Sequence, residues 1–366
     1  MVVCTKHQGG KRMPSRGKPT LSDVARAAGV STAAASMILR GTPGVSFSEE
    51  TVRRVTEAAS ALGYRRPAPA SPYDRPMIAI FLPLVTGSYY TFITQAITQQ
   101  ANRHGYDTIV LETHRNRERE LRLMHALPRI GVSGVIFTAP PMNAEAAVSM
   151  AQTIPTVIIN NERDGTPLDT IVIDDLRVGE LVADHLLGLG HRTVAFVEIS
   201  RQWQGISISQ RLVGAKARFA SCPGAELLVY SRRAPDTLRP GSFIETREQA
   251  REIAAECLEN ERITAFICIS DYAAYGVMDE LAARGKRIPQ DYSVCACDNL
   301  FASSLAGVSL TTVDRHPVEI GVKSFELLLQ RLIHPSSGEQ LPPHITRVEY
   351  LSTLIVRDSS GIPRRV

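Results

Sequence analysis

Four apolar, strand-like runs lead into polar side chains capable of recognition chemistry. Tyr89 and Tyr90 follow Ile78–Leu82, Asp174 follows Thr170–Ile173, Ser270 and Asp271 follow Ala265–Ile269, and Asp298 follows the run ending at Cys297. Arg211 opens a helical stretch, with Trp203, the only tryptophan, in the loop before it. Carboxylates and a guanidinium hold hydroxyls or charges and aromatic faces stack on rings, so the set suits a small polar ligand. Carboxylates in a cleft could also serve acid–base chemistry, but no partner nucleophile accompanies them. G-x-G-x-x-G, G-x-x-x-x-G-K and H-E-x-x-H are all absent. Cys295-Ala296-Cys297 has the wrong spacing for a zinc knuckle and alternates as a strand does, which points to buried thiols. His316, just before Pro317, is not read as a catalytic base. The expectation is a binding protein with no enzymatic activity, no metal and no cofactor.

The elements that must position these residues alternate. Strands are predicted at 78–82, 108–111, 134–137, 156–159, 193–197, 227–230, 265–269 and 293–297, separated by helices at 90–104, 117–127, 176–187, 210–219, 246–258 and 273–284. Such alternation gives an α/β fold of two parallel sheets with helices on both faces. Ligands in such sheets lie at the carboxyl ends of the strands, where the polar residues above fall.

The chain has 366 residues, 44% hydrophobic and 21% charged, which excludes disordered, collagenous and fibrous classes and is too long for one ordinary domain. No apolar run reaches the ~18 residues of a membrane helix. Met1–Thr20 is basic but lacks the apolar core of a secretory signal. Six scattered cysteines (Cys4, Cys222, Cys257, Cys268, Cys295, Cys297) do not make a disulfide framework and suit a reducing cytoplasm.

The overall charge of +4 is unevenly divided: residues 1–66 carry +7 and the remainder −3. A basic head on a mildly acidic body points to a polyanionic partner for the head. Thr20-Leu21-Ser22-Asp23 is a capping-box-like helix start, and Leu21, Val24, Ala25 and Ala28 share one face. Gly29 stops that helix and Ser31 caps the next, Thr32 to Leu39, after a turn too short for an antiparallel pair. Ser48 caps a third helix, Glu49 to Leu62, with Val52, Val55, Ala59 and Leu62 expected on its inner stripe.

These residues carry a specific resemblance. Thr20 to Ser31 (TLSDVARAAGVS) and Ser46 to Tyr64 (SFSEETVRRVTEAASALGY) resemble the DNA-binding head of the LacI/GalR family of transcription regulators. His185 to Phe196, Arg211-Leu212-Val213-Gly214, Ser270 to Gly276, Ile288 to Val294 and Leu310 to Val313 follow in that family's order and spacing. The resemblance implies a helix-turn-helix domain at 17–64, a linker at 65–76 and a two-lobed, periplasmic-binding-protein-like effector and dimerisation domain at 77–357. Lobe 1 is expected to comprise 77–175 and 308–335, and lobe 2 to comprise 176–307 and 343–357.

The same resemblance implies site residues and partners. The second helix would lie in the major groove of double-stranded operator DNA, with Thr32, Ala33, Ser36 and Met37 at base edges and Ser31 on phosphate. Thr20 completes the implied DNA-binding set. Tyr89, Tyr90, Asp174, Trp203, Arg211, Ser270, Asp271, Tyr272 and Asp298 would contact a small-molecule effector, a sugar or related metabolite, in the cleft. The resulting expectation is a cytoplasmic, homodimeric, ligand-responsive repressor of carbohydrate-utilisation genes with no membrane partner. A small-molecule receptor of the same body fold with weak or non-specific DNA binding is the alternative.

Two departures from the family pattern stand out. Met37 occupies a position where the family usually has an arginine able to grip guanine bidentately, and Arg40 replaces an asparagine and could reach phosphate instead. Pro67, Pro69, Pro72 and Pro76 follow Tyr64, where the family forms a short hinge helix that wedges a leucine into the minor groove. Each interior proline costs a helix ~3 kcal/mol, so a semi-extended spacer is expected.

Overall fold

Thr20 and Asp23 close a reciprocal capping box at the start of helix α1 (Leu21–Ala28): the Thr20 amide donates to the Asp23 carboxylate at 2.9 Å and the Asp23 amide to the Thr20 hydroxyl at 3.4 Å. Gly29 ends α1 in the left-handed conformation (φ 66°), which only glycine adopts at little cost. In the computed structural model, residues 20–40, 47–62, 75–85, 88–160, 166–201, 210–234, 242–333 and 344–365 are described. Ser31 accepts from the Ala34 amide at 3.1 Å at the start of α2 (Thr32–Arg40), and Ser48 caps α3 (Glu49–Ala61).

The three helices bury Val24, Ala25, Ala28, Ala35, Val55 and Ala59 around one small core. Val52 and Leu62 were expected on that inner stripe, yet each is 40% exposed. The face of α3 that meets the other helices runs through Val55, Ala58 and Ala59, and positions one turn outward from this stripe point to solvent. The chain divides into two compact units between Asp74 and Arg75. Of the proline-rich stretch, residues up to Asp74 lie outside the described residues.

The larger unit holds two six-stranded sheets. The first has the order β11-β5-β4-β3-β1-β2, from β1 (Met77–Leu82), β2 (Asp107–Glu112), β3 (Gly134–Phe137), β4 (Thr156–Asn160), β5 (Asp169–Ile173) and β11 (Arg347–Tyr350), and all its pairings are parallel. The second has the order β12-β10-β9-β8-β6-β7, from β6 (Thr193–Arg201), β7 (Glu226–Ala234), β8 (Ala265–Cys268), β9 (Ser293–Ala296), β10 (Thr311–Asp314) and β12 (Thr353–Ile355). Only β12 is antiparallel, against β10, so this sheet departs from the expected all-parallel form at its edge.

Helices α4 (Ser88–Arg103) and α11 (Pro317–Ile333) cover one face of the first sheet, and α5 (Arg117–Ile130) and α6 (Ala144–Ala151) the other. Helices α7 (Asp175–Leu189) and α8 (Gln210–Ala220) cover one face of the second sheet, and α9 (Ser242–Cys257) and α10 (Asp271–Ala283) the other. Each sheet face has its own apolar core, so each lobe buries its own apolar surface.

The chain passes between the lobes three times: at β5 to α7, at β10 to α11, and at β11 to β12. This corrects two of the expected lobe boundaries. Residues 311–314, assigned by sequence to lobe 1, pair with β9 in lobe 2, and residues 347–350, assigned to lobe 2, pair with β5 in lobe 1. Strands of four residues announce no partner of their own; hydrogen bonding to a distant strand decides where they belong.

Candidate functional site

The polar centre of the larger unit is built where α7 and α8 start side by side. A Cβ on Gly179 would stand 1.8 Å from the Arg211 carbonyl oxygen, and one on Gly214 would stand 2.0 Å from that of Leu176. Glycine at both positions lets the two backbones touch, and this brings Arg211, near the start of α8, to Asp175, the first residue of α7. Arg211 Nε donates to Asp175 Oδ1 at 3.0 Å. Its Nη1 donates to the Ile269 carbonyl at the end of β8 and approaches Asp298 Oδ1, just beyond β9, at 3.3 Å.

A second guanidinium meets the same carboxylates. Arg315 lies in the crossover between β10 and α11, with Nη2 at 3.3 Å from Asp175 Oδ1 and Nη1 at 3.5 Å from Asp298 Oδ1. Its guanidinium carbon lies over the Tyr89 ring, 4.4 Å from the centroid, a cation–π contact reaching α4 of lobe 1. Tyr90 meets Tyr89 edge to face at 5.5 Å. Arg211, Arg315, Asp175, Asp298 and Tyr89 thus join the first two crossovers to both lobes.

Burial dominates the electrostatics. It pushes the Asp298 carboxyl up to about 6, against the pull of Arg211; Asp271 adds to the rise, Arg315 opposes it and Asp175 adds to it. Burial would lower the Arg211 pKa, but Asp175 and Asp298 more than offset this and hold it above the usual arginine value. Burial also pushes the Tyr89 hydroxyl and the Cys297 thiol each up to about 12. Tyr90 rises for the same reason, within the fields of Arg115, Arg315, Asp175 and Asp298. Arg115 follows β2 in lobe 1, has φ 53° and donates to the Pro140 carbonyl at 2.9 Å.

The structure brings Tyr89, Tyr90, Arg211 and Asp298 together, and it corrects the expectation for Asp271. Asp271 is fully buried and its carboxylate is consumed internally, accepting from the Asp298 amide at 3.0 Å, the Leu300 amide at 2.8 Å, the Thr312 hydroxyl at 2.6 Å and the Ser303 hydroxyl. It anchors the loop that presents Asp298 and has no face left for a ligand.

Ser270 caps α10 through the Ala273 amide, and Asp174 caps α7 through the Arg177 amide at 2.9 Å. Tyr272 is half-buried and packs on Phe243 with centroids 5.2 Å apart. Trp203 lies outside the described residues. Sequence reasoning missed Asp175 and Arg315; the doubled Asp174-Asp175 at a strand end was the available signal for the first, and nothing local marked the second. His316 sits in the second crossover at φ 52°, within 3.4 Å of Thr353 at the third.

Cys295 and Cys297 are fully buried, and among the described residues no cluster could hold a metal ion. No helix among them is long and apolar enough to cross a membrane.

In the head, Thr32 is exposed and Met37 half-buried on α2. Thr20 and Ser31 serve as caps, with the Ser31 hydroxyl proton still able to donate outward. Ala33, Ser36 and Arg40 lie on the same helix, but their side chains are outside the described part.

Comparison with known proteins gives a consistent result. Residues 20–67 match the family described as bacterial regulatory proteins, lacI family, and residues 183–360 match a periplasmic binding protein-like domain. The chain is 27% identical over 316 residues to the HTH-type transcriptional regulator DegA of Bacillus subtilis, covering 84% of this chain and 89% of that one. It is 27% identical over 354 residues to the HTH-type transcriptional regulator PtxS of Pseudomonas plecoglossicida, covering 95% and 97%. The solved structure of a LacI family transcriptional regulator from Enterococcus faecium with bound ribose shares the fold, with TM-score 0.63 and 22% identity, covering 79% of this chain and all of that one.

Proposed function

The chain belongs to the lacI family of bacterial regulatory proteins, and from that premise we propose an effector-responsive repressor that binds a small carbohydrate-like molecule between its lobes. The observation that carries this reading is the buried set of Arg211, Arg315, Asp175 and Asp298 beside Tyr89, placed where the chain crosses between the lobes. Guanidinium and carboxylate groups recognise hydroxyls by hydrogen bonds, and an aromatic face packs against a pyranose or furanose ring. The Enterococcus faecium regulator of the same fold holds ribose, which supports a carbohydrate as the effector class.

The chain has three connections between its lobes, so a ligand bound between them changes their closure without unfolding either core. Two copies carry two helix-turn-helix heads to a palindromic operator in the cytoplasm, each head placing α2 in the major groove through Ser31, Thr32, Ala33, Ser36 and Met37. Thr20 and Arg40 complete that surface, and the protein catalyses no reaction.

Titrating the full chain onto DNA from the promoter of its own gene, with and without a panel of sugars, tests the reading. Specific binding that weakens steeply with salt and responds to one sugar class is the expected result. Equal affinity for unrelated DNA would favour the receptor alternative.

A further inference from the structure

Arg75 is the first residue of the larger unit, directly after the proline-containing stretch that leads from the head. Its guanidinium grips the end of α4 and the turn behind it. Nη2 donates to the Asn102 carbonyl at 2.9 Å and to the Tyr106 carbonyl at 3.2 Å. Nη1 donates to the Asn102 side-chain oxygen at 3.4 Å and stands 3.2 Å from Asp107 Oδ1. The Asp107 amide donates to the Pro76 carbonyl at 2.9 Å, so the backbone is pinned at the same turn. A cation on carbonyls at a helix C-terminus is favoured by their spare acceptor capacity and by the helix dipole. An exposed ion pair adds little to stability, so what this clamp decides is position, the place where the chain enters β1.

The opposite end of α4 stands at the crossover between the lobes. Tyr89, the second residue of α4, lies under the Arg315 guanidinium at 4.4 Å, and Asn102 is ~20 Å further along the helix axis. Helix α11 begins at Pro317, just past Arg315, and runs against α4. A Cβ on Gly321 would stand 2.6 Å from the Ile93 carbonyl oxygen and 2.7 Å from the Ala96 Cβ. Further along, Phe325 packs on the rings of His104 and Tyr106, with centroids 5.4 and 6.1 Å away. Helices packed this closely have no room to move independently, so a shift at Arg315 carries α4 and α11 together.

We propose that Arg75 is a positioning residue that ties the start of the larger unit to the end of α4, so that displacement of α4 at Tyr89 moves the point from which the head is tethered. The inference rests on the effector-responsive reading above and adds to it a route and a residue. Two heads on one palindrome reach the second half-site at an effective concentration set by their tethers, so moving the tether point changes operator affinity. Without the clamp the tether gains freedom at this end, and a displacement of α4 no longer reaches it.

A double-mutant cycle on the full chain tests this, read as the Kd for DNA from the promoter of its own gene. Tyr89→Leu removes the ring beneath Arg315 and frees that end of α4. With Arg75 in place it should change Kd by at least about threefold, and in the Arg75→Ala background by less than about 1.5-fold. Arg75→Lys keeps the charge but not the fork on two carbonyls, and should retain part of the coupling, a gradation that a merely structural role would not give. Thermal melts check folding, and Arg75→Gln replaces the alanine variant should that one not fold. An unchanged Kd for Tyr89→Leu with Arg75 in place, or an equal change in both backgrounds, overturns the role of Arg75 and leaves the repressor reading intact. Wild-type binding no tighter than to unrelated DNA overturns both.

Discussion

Arg211 and Asp175 open two different helices and meet at 3.0 Å only because two glycines let those helices touch. The ion pair depends on backbone packing as much as on charge, and Arg211 extends it to Asp298 across the ends of β8 and β9.

Gly214→Ala tests the packing. Its Cβ would stand 2.0 Å from the Leu176 carbonyl oxygen, and backbone cannot yield as a flexible side chain does. We expect a loss of ~1–3 kcal/mol or more in urea unfolding together with weaker effector binding, because α8 must shift and carry Arg211 away from Asp175. Unchanged stability would mean that the two helices do not approach this closely.

Arg211→Ala tests the ion pair itself. It leaves Asp175 without one of its cations and removes a donor from the cleft. Effector binding should weaken by ~2 kcal/mol or more, while operator affinity without effector stays near the wild-type value. Calorimetry showing wild-type effector affinity would remove Arg211 from the site.

Asp298 predicts a pH dependence of stability. Its carboxyl stands at about 6 in the folded chain, against 3.8 ordinarily. The folded state therefore holds more protons than the unfolded state between those values, so this group's contribution makes stability fall as pH rises through that window and level off above it. The full span corresponds to roughly 3 kcal/mol, as an order of magnitude. Asp298→Asn should flatten this part of the profile, seen as a smaller change between urea melts at about pH 4 and about pH 7.

The proposed docking of α2 in the major groove gives Met37 a part in which bases the head reads. Met37 is half-buried on α2 and has no strong donor to place on guanine. Met37→Arg should sharpen preference for a G·C pair at one position of each half-site by ~1–3 kcal/mol, measured by selection of binding sites. An unchanged consensus would place α2 in a different register in the groove.

The amino-acid sequence alone determined the features that rest on near neighbours. The Thr20–Asp23 capping box, the Gly29 stop and the Ser31 and Ser48 caps are contacts between residues three or four apart, or a property of one backbone position. Strand–helix alternation likewise announced parallel sheets, because the period of apolar residues records which face is buried. Partners distant along the chain were decided by the tertiary structure. Arg211 meets Asp175 across 36 positions and Asp298 across 87, and Arg315 joins both from the second crossover. Asp271 and Asp298 looked alike as carboxylates at strand ends. Folding turned Asp271 inward to hold a loop and left Asp298 between two arginines, because the donors around a carboxylate come from elements that only the assembled sheets bring together.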